Sequence, residues 1–116
     1  MEFKSVLRER SFRAGVSLLR ILYEVQKVHC EYNLTNQLIR SATSIHANLQ
    51  ESRGSGSRRD FGAKIIISRK ECFETISWLE FLRELSFIEI LTANRYITEY
   101  TEILKMLNST LRSLNR

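Results

Sequence analysis

The chain has 116 residues, with 18 Lys+Arg against 13 Asp+Glu and a formal net charge of +5. Hydrophobic residues make up 43% and charged residues 27%, which excludes a disordered tail, and no apolar run approaches the roughly 18 residues of a membrane span. One domain of this length can bury a core of its own, so a single domain over residues 1–116 is expected.

Proline is absent and glycine occurs four times, too few tight-turn residues for a sheet protein of this size. Met1-Glu2-Phe3-Lys4 carries neither an apolar segment nor a small-residue cleavage site, so a cytoplasmic protein without a signal peptide is expected. Cys30 and Cys72 are too few for a disulfide framework and lack zinc spacing; both are expected as buried thiols.

Four segments have helical apolar spacing. The first runs from about Phe3 to Cys30, with Leu7, Phe12, Val16, Leu19, Leu22 and Val25 or Val28 as its stripe. Asn33 or Thr35 is the expected cap of the second helix, which has a one-sided stripe of Leu38, Ala42, Ile45 and Leu49. Gly54-Ser55-Gly56 breaks the pattern and offers backbone freedom for a turn. In Ser57-Arg58-Arg59-Asp60, serine reads as a cap and the carboxylate faces the positive end of the helix it opens. That third helix is expected over Arg58 to Leu85, followed by a tight connection, Ser86 to Leu91. Thr92 is the expected cap of a fourth helix striped by Tyr96, Tyr100, Ile103 or Leu104, Leu107, Leu111 and Leu114. Long helices with short links predict an all-α fold, an up-down-up-down antiparallel four-helix bundle.

The third helix is apolar on two sides. Phe61, Ile65, Cys72, Ile76 and Leu79 form one stripe; Ile67, Trp78, Phe81 and Leu85 form another, widened by Ile66 and Phe73. A monomer would leave the second side in water, which predicts a homo-oligomer with Ile67, Trp78, Phe81 and Leu85 at its interface. Trp78 is the anchor to test first.

Charge is as unevenly placed. Arg53, Arg58, Arg59, Lys64, Arg69 and Lys70 share one window with a single acid, Asp60, and the remaining 12 basic and 12 acidic residues cancel. Such a cluster suits a nucleic-acid backbone. Phe61 is the only interleaved aromatic, so base stacking is not indicated. Arg13, Arg20 and Lys27 recur every seven residues on the first helix, with Glu9 and Glu24 four residues from Arg13 and Arg20, and read as a salt-bridged surface. His29 and His46 have no metal-ligand spacing and the serines no nucleophile motif, so neither catalysis nor a metal or cofactor is expected. Asn48, Glu51 and Glu74 lie near apolar stripes and read as structural polar groups that hydrogen-bond between helices or subunits.

These residues carry a resemblance. Leu34-Thr35-Asn36-Gln37-Leu38-Ile39-Arg40-Ser41-Ala42, then Ser44-Ile45 and Ala47-Asn48-Leu49-Gln50-Glu51, are followed by Arg58, Asp60-Phe61 and Glu74. Leu85-Ser86-Phe87-Ile88 and Thr92-Ala93-Asn94-Arg95-Tyr96 complete a match over about residues 34–96. The pattern resembles the bacterial four-helix bundles first met as products of intervening sequences in 23S rRNA genes, once labelled S23 ribosomal proteins, and the related accessory variability proteins of diversity-generating retroelements. Two departures stand out: Gln50-Glu51-Ser52 replaces the usual Ala-Glu-Gly, and Lys70-Glu71 replaces a small Gly-Ser pair. The resemblance implies a pentameric, barrel-like assembly with a basic surface. In the retroelement branch such a ring binds a reverse transcriptase and its template RNA; the intervening-sequence branch has no established activity. The clustered charge favours a nucleic-acid-binding accessory protein, the alternative being a protein–protein adaptor.

Overall fold

The structure, a computed structural model, describes residues 2–115, with side chains from Val6 onward. The reading of Met1 to Lys4 rests on side chains outside the described residues. There are four helices, α1 (Glu2–His29), α2 (Asn33–Ser52), α3 (Arg58–Glu84) and α4 (Ile90–Leu114), and no strand among the described residues. The bundle measures 46 × 22 × 19 Å.

Each helix packs on its sequence neighbours, α4 closes back on α1, and α1 and α3 lie diagonally across the bundle. Side-chain bonds between neighbours run in opposite order along the two helices. Gln26 bonds Thr35 while Ser11 bonds His46; Thr75 bonds Ser41 while Lys64 bonds Glu51; Arg83 bonds Asn94 while Arg69 bonds Asn108. Neighbouring helices are therefore antiparallel.

The α2 stripe is buried as its spacing predicts, at Leu38, Ala42, Ile45 and Leu49. On α4, Tyr96, Tyr100, Ile103 and Leu107 are buried, with Leu104 and Leu111 packed at the core's edge. On α3 the core takes Ile65, Cys72 and Leu79, with Phe61 and Ile76 partly buried beside them. Burial pushes the Cys72 thiol up to about 12, and its Sγ–H donates to the Tyr100 carbonyl at 3.2 Å.

The first helix departs from its expected stripe. Leu7, Ser11, Ala14, Leu18, Leu22 and Val25 face the core, while Phe12 and Val16 point outward and Leu19 is half-buried. The chain has apolar residues on two sides of α1, and the small Ser11 and Ala14, which let the neighbouring helices approach, mark the inner one.

The ends of the helices hold the other corrections. Neither Asn33 nor Thr35 caps α2. The Glu31 carboxylate does, accepting the backbone N–H groups of Leu34 at 3.0 Å and Thr35 at 2.9 Å. The fourth helix starts at Ile90, two residues before Thr92, with no side-chain cap. Ser57 does cap α3, its hydroxyl accepting the Asp60 N–H at 3.1 Å. No glycine has a positive φ; the left-handed positions are Cys30 (φ 53°) and Ser86 (φ 64°). The Gly54-Ser55-Gly56 link thus turns on ordinary backbone. Cys30 is exposed rather than buried, because it occupies the left-handed residue that ends α1, its N–H donating to the Gln26 carbonyl at 2.9 Å.

Candidate nucleic-acid interface

Ser57 starts α3 in a register that decides where the six cations of the basic window go. Arg58 and Arg69 fall on the side toward α4. Arg58 donates to the Leu114 carbonyl at 2.7 Å and Arg69 to Asn108 Oδ1 at 3.2 Å. Both acceptors are neutral, so neither bond cancels a charge. Arg59 and Lys70 project outward, and Arg53 stands exposed in the preceding link. Lys64 alone turns toward α2, where it pairs with Glu51 at 2.9 Å. Arg58, Arg59 and Arg69 converge on a groove of about 560 Å³ between α3 and α4, floored by Ile66, Leu111 and Leu114. Gly62 suits the close approach there, since a Cβ would sit 3.4 Å from the Leu114 side chain. Arg58 and Arg69 are held by their hydrogen bonds and Arg59 stands free beside them, over a partly apolar floor, an arrangement that suits a phosphate chain.

The second apolar side of α3 is outside. Ile66, Ile67, Phe73, Phe81 and Leu85 are exposed, Phe73 by 57% and Phe81 by 52%. Trp78 is half-buried against the core, 5.7 Å from the Phe81 ring, and its buried indole N–H has no partner among the described residues.

The three residues read as structural polar groups divide. Glu51 is exposed and reaches across to Lys64. Glu74 bonds Arg40 of α2 at 2.6 Å. Asn48 stays on its own helix, donating to the Ser44 carbonyl at 2.9 Å. Glu71, from the unusual Lys70-Glu71 pair, lies in the α2–α3 seam, its side chain 12% exposed and paired with Arg40 at 3.1 Å.

The family model described as 23S rRNA-intervening sequence protein matches residues 5–109. The chain belongs to that family. A crystal structure of a protein with unknown function from the S23 ribosomal protein family of Bacteroides thetaiotaomicron VPI-5482 is similar to it throughout: 31% identity over 95% of this chain and 98% of the other, with a TM-score of 0.92. No curated protein matches the chain at a significant level.

This intervening-sequence protein has a second groove that spacing alone does not expose. Arg20 of α1 and Arg95 of α4 are 75 positions apart, yet both line a cleft of about 530 Å³ between those helices, with Phe12, Arg13, Val16 and Tyr96. Arg95 lies over the Tyr96 ring at 5.7 Å. The expected salt-bridged row is only partly present, since Arg13 pairs with Glu9 at 2.7 Å while Arg20 has no carboxylate partner among the described residues. Among the described residues no cluster of His, Cys, Asp and Glu could hold a metal, and no helix is long and apolar enough to cross a membrane.

Proposed function

We propose that this family member is a non-enzymatic, self-associating cytoplasmic scaffold that holds the phosphate backbone of RNA or DNA along the first half of α3. One observation carries the reading: Arg53, Arg58, Arg59, Arg69 and Lys70 have no carboxylate partner among the described residues, and only Lys64 is neutralised. Left unpaired, these cations keep their full positive charge available to a phosphate backbone. Phe61 packs against the core, which favours recognition of backbone over bases. The exposed Phe73, Phe81 and Leu85 support self-association, which would repeat a weak basic strip around an axis and add avidity. In its fuller form the reading places a ring of five copies beside a reverse transcriptase in a diversity-generating retroelement, as the resemblance implies. A neighbouring reverse-transcriptase gene with paired template and variable repeats would support that form.

Fluorescence anisotropy with labelled single- and double-stranded RNA and DNA of unrelated sequence is the test. Affinity should fall steeply with salt, by a logarithmic slope of roughly 0.7–0.9 per phosphate contacted. Replacing Arg53, Arg59 and Lys70 with Glu, all exposed and outside the core, should abolish binding with helix content unchanged. Affinity indifferent to salt, or untouched by the triple change, removes the reading. The same exposed side of α3 favours a second one, an adaptor for another protein without nucleic-acid binding; a stable monomer that ignores every nucleic acid would be its signature.

A further inference from the structure

The α1–α2 and α3–α4 links lie at the same end of the bundle and touch there, the His29 ring meeting the Phe87 ring edge-on at 5.3 Å. That end is stepped. The Ser17–Tyr96 bond sets α1 and α4 level with each other. From Ser17, α1 extends about 18 Å further to His29, whereas α4 extends only about 9 Å from Tyr96 back to Ile90, at 1.5 Å per residue. The end of α1 therefore stands about 9 Å beyond the start of α4, more than one helical turn.

Both levels of the step hold apolar side chains in water. Val28 and Tyr32 are exposed on the upper level and Ile90 and Leu91 on the lower, Leu91 by 75%, the highest value of any large apolar side chain described. Lys27 lies in the last turn of α1, and Glu89 immediately precedes α4. Neither has an ion-pair partner among the described residues. A step with a base and apolar groups above, and an acid and apolar groups below, complements itself when turned over. The opposite end of the bundle offers nothing comparable. Arg53, Arg58 and Arg59 carry unpaired charge there, so two such ends repel, and the link at 53–57 has no large apolar side chain for Ile90 and Leu91 to meet.

We propose that two copies of this chain meet end to end across a two-fold axis, the end of α1 in each filling the step of the other. Val28 then packs on Ile90 and Leu91 of the second copy, and Lys27 faces its Glu89. A two-fold contact makes every pairing twice. Burial of the four apolar side chains supplies affinity, and the Lys–Glu pairs fix which halves of the two ends meet. The 22 × 19 Å cross-section limits the buried area to roughly 400 Å² per copy, roughly 800 Å² in all, below the approximately 1,200 Å² of a stable interface. One such contact is weak, and it gains strength where copies are already gathered side by side. It turns the two basic strips to the outer ends. The proposal does not rest on self-association through α3, since it uses neither Phe73 nor Phe81.

Cys30 is a built-in probe of this contact. It is exposed at the tip, whereas Cys72 is buried with its thiol pushed up to about 12. Two Cys30 thiols brought together become a disulfide when diamide takes up their two protons and two electrons. Non-reducing electrophoresis over a time course then reads the covalent dimer. Each rate is divided by the reactivity of Cys30 toward a small aromatic disulfide, and circular dichroism checks the helices. Wild type should form the dimer and Cys30→Ser should not. Ile90→Gln with Leu91→Gln, Lys27→Glu alone and Glu89→Lys alone should each slow it at least about tenfold, the effect of roughly 1.4 kcal/mol. Lys27→Glu with Glu89→Lys in one chain should regain the wild-type rate, because each end again presents opposite charges to the other. A wild type that forms no Cys30 dimer overturns the proposal. So does a normalised rate that the first three variants leave unchanged, or a charge swap no faster than its single changes. None of these substitutions touches the basic strip, so such a failure leaves the proposed function standing.

Discussion

The Thr75 hydroxyl of α3 donates to Ser41 Oγ of α2 at 2.9 Å, inside the core, and Ser41 in turn donates to the Leu38 carbonyl at 3.2 Å. Ser68 repeats the arrangement one level along, donating to the Ile45 carbonyl at 3.0 Å. Small hydroxyl residues let α2 and α3 lie close while satisfying their own polar atoms. Thr75 also reaches the Glu71 carbonyl of its own helix at 2.9 Å. Each hydroxyl therefore keeps a carbonyl partner if the other is removed. Ser41→Ala and Thr75→Val should each cost only about 0.5–1 kcal/mol in urea unfolding, with a coupling of similar size in the double variant. Ser41→Leu, which would force the helices apart, should cost about 1–3 kcal/mol. A larger loss in Ser41→Ala than in Ser41→Leu would refute the close-approach account.

Ser86 occupies the position where helices favour glycine. Its own N–H donates to the Arg83 carbonyl at 3.0 Å, and the next N–H, of Phe87, donates to the Leu82 carbonyl at 2.9 Å. This pair of bonds defines a Schellman end with the left-handed residue at Ser86. A side chain there is strained, so Ser86→Gly should stabilise the fold by about 0.5–1 kcal/mol after the greater freedom of glycine in the unfolded chain is allowed for. Gly54→Ala, at ordinary φ with only the Glu51 carbonyl 3.7 Å from the added Cβ, should be neutral or slightly stabilising. Thermal melts of both variants provide the check; a melting point lowered by Ser86→Gly contradicts the strain argument.

The pattern of success along the chain has a physical basis. On α2 a single apolar stripe leaves one way to face inward, so Leu38 to Leu49 could be read directly. On α1 two apolar sides compete, and the choice is made by Ser11 and Ala14, whose smallness carries no hydropathy signal. The doubled apolar character of α3 was legible because Phe73, Phe81 and Leu85 recur at helical spacing, yet Trp78 went inward on the same pattern. The basic strip was legible because five of its six residues fall in the first half of α3 and the sixth, Arg53, in the link just before it. The α1–α4 cleft was not, since Arg20 and Arg95 meet only after the chain has folded back three times. The left-handed links were hidden for another reason: Cys30 and Ser86 lack the glycine that would announce them.

Glu31 links the first turn of α2 to acid stability. Burial alone would raise its carboxyl pKa, but the N–H groups of Leu34, Thr35 and Asn33 outweigh that and hold it below the ordinary value. A carboxyl lowered in the folded state adds stability above its unfolded value of 4.5 and loses that contribution as pH falls toward the folded value. Urea unfolding at a series of pH values should show wild-type stability declining below that point. Glu31→Gln should be less stable at neutral pH by about 0.5–2 kcal/mol, the range for losing a helix cap, and should converge on wild type in acid. Parallel curves, with the same gap at every pH, would remove the charge of Glu31 from the explanation.

Tyr96 and Tyr100 stand one turn apart on α4 and differ in what their hydroxyls meet. The Tyr96 hydroxyl bonds Ser17 of α1 at 2.5 Å. Tyr100 is fully buried and its hydroxyl has no hydrogen-bond partner among the described residues; burial raises its pKa far above the ordinary tyrosine value and keeps it neutral. A buried hydroxyl without a partner costs on the order of 1–3 kcal/mol relative to its hydrated state. Tyr100→Phe keeps the ring and removes that burden, so it should raise stability by about 1 kcal/mol. Tyr96→Phe removes a made bond and leaves Ser17 to find water at the bundle edge, so it should lower stability by about 0.5–1.5 kcal/mol. Chemical denaturation of the two single variants side by side decides the matter through the sign of the difference. If Tyr100→Phe is the more damaging of the pair, its hydroxyl has a partner in solution that the packing around α4 does not account for.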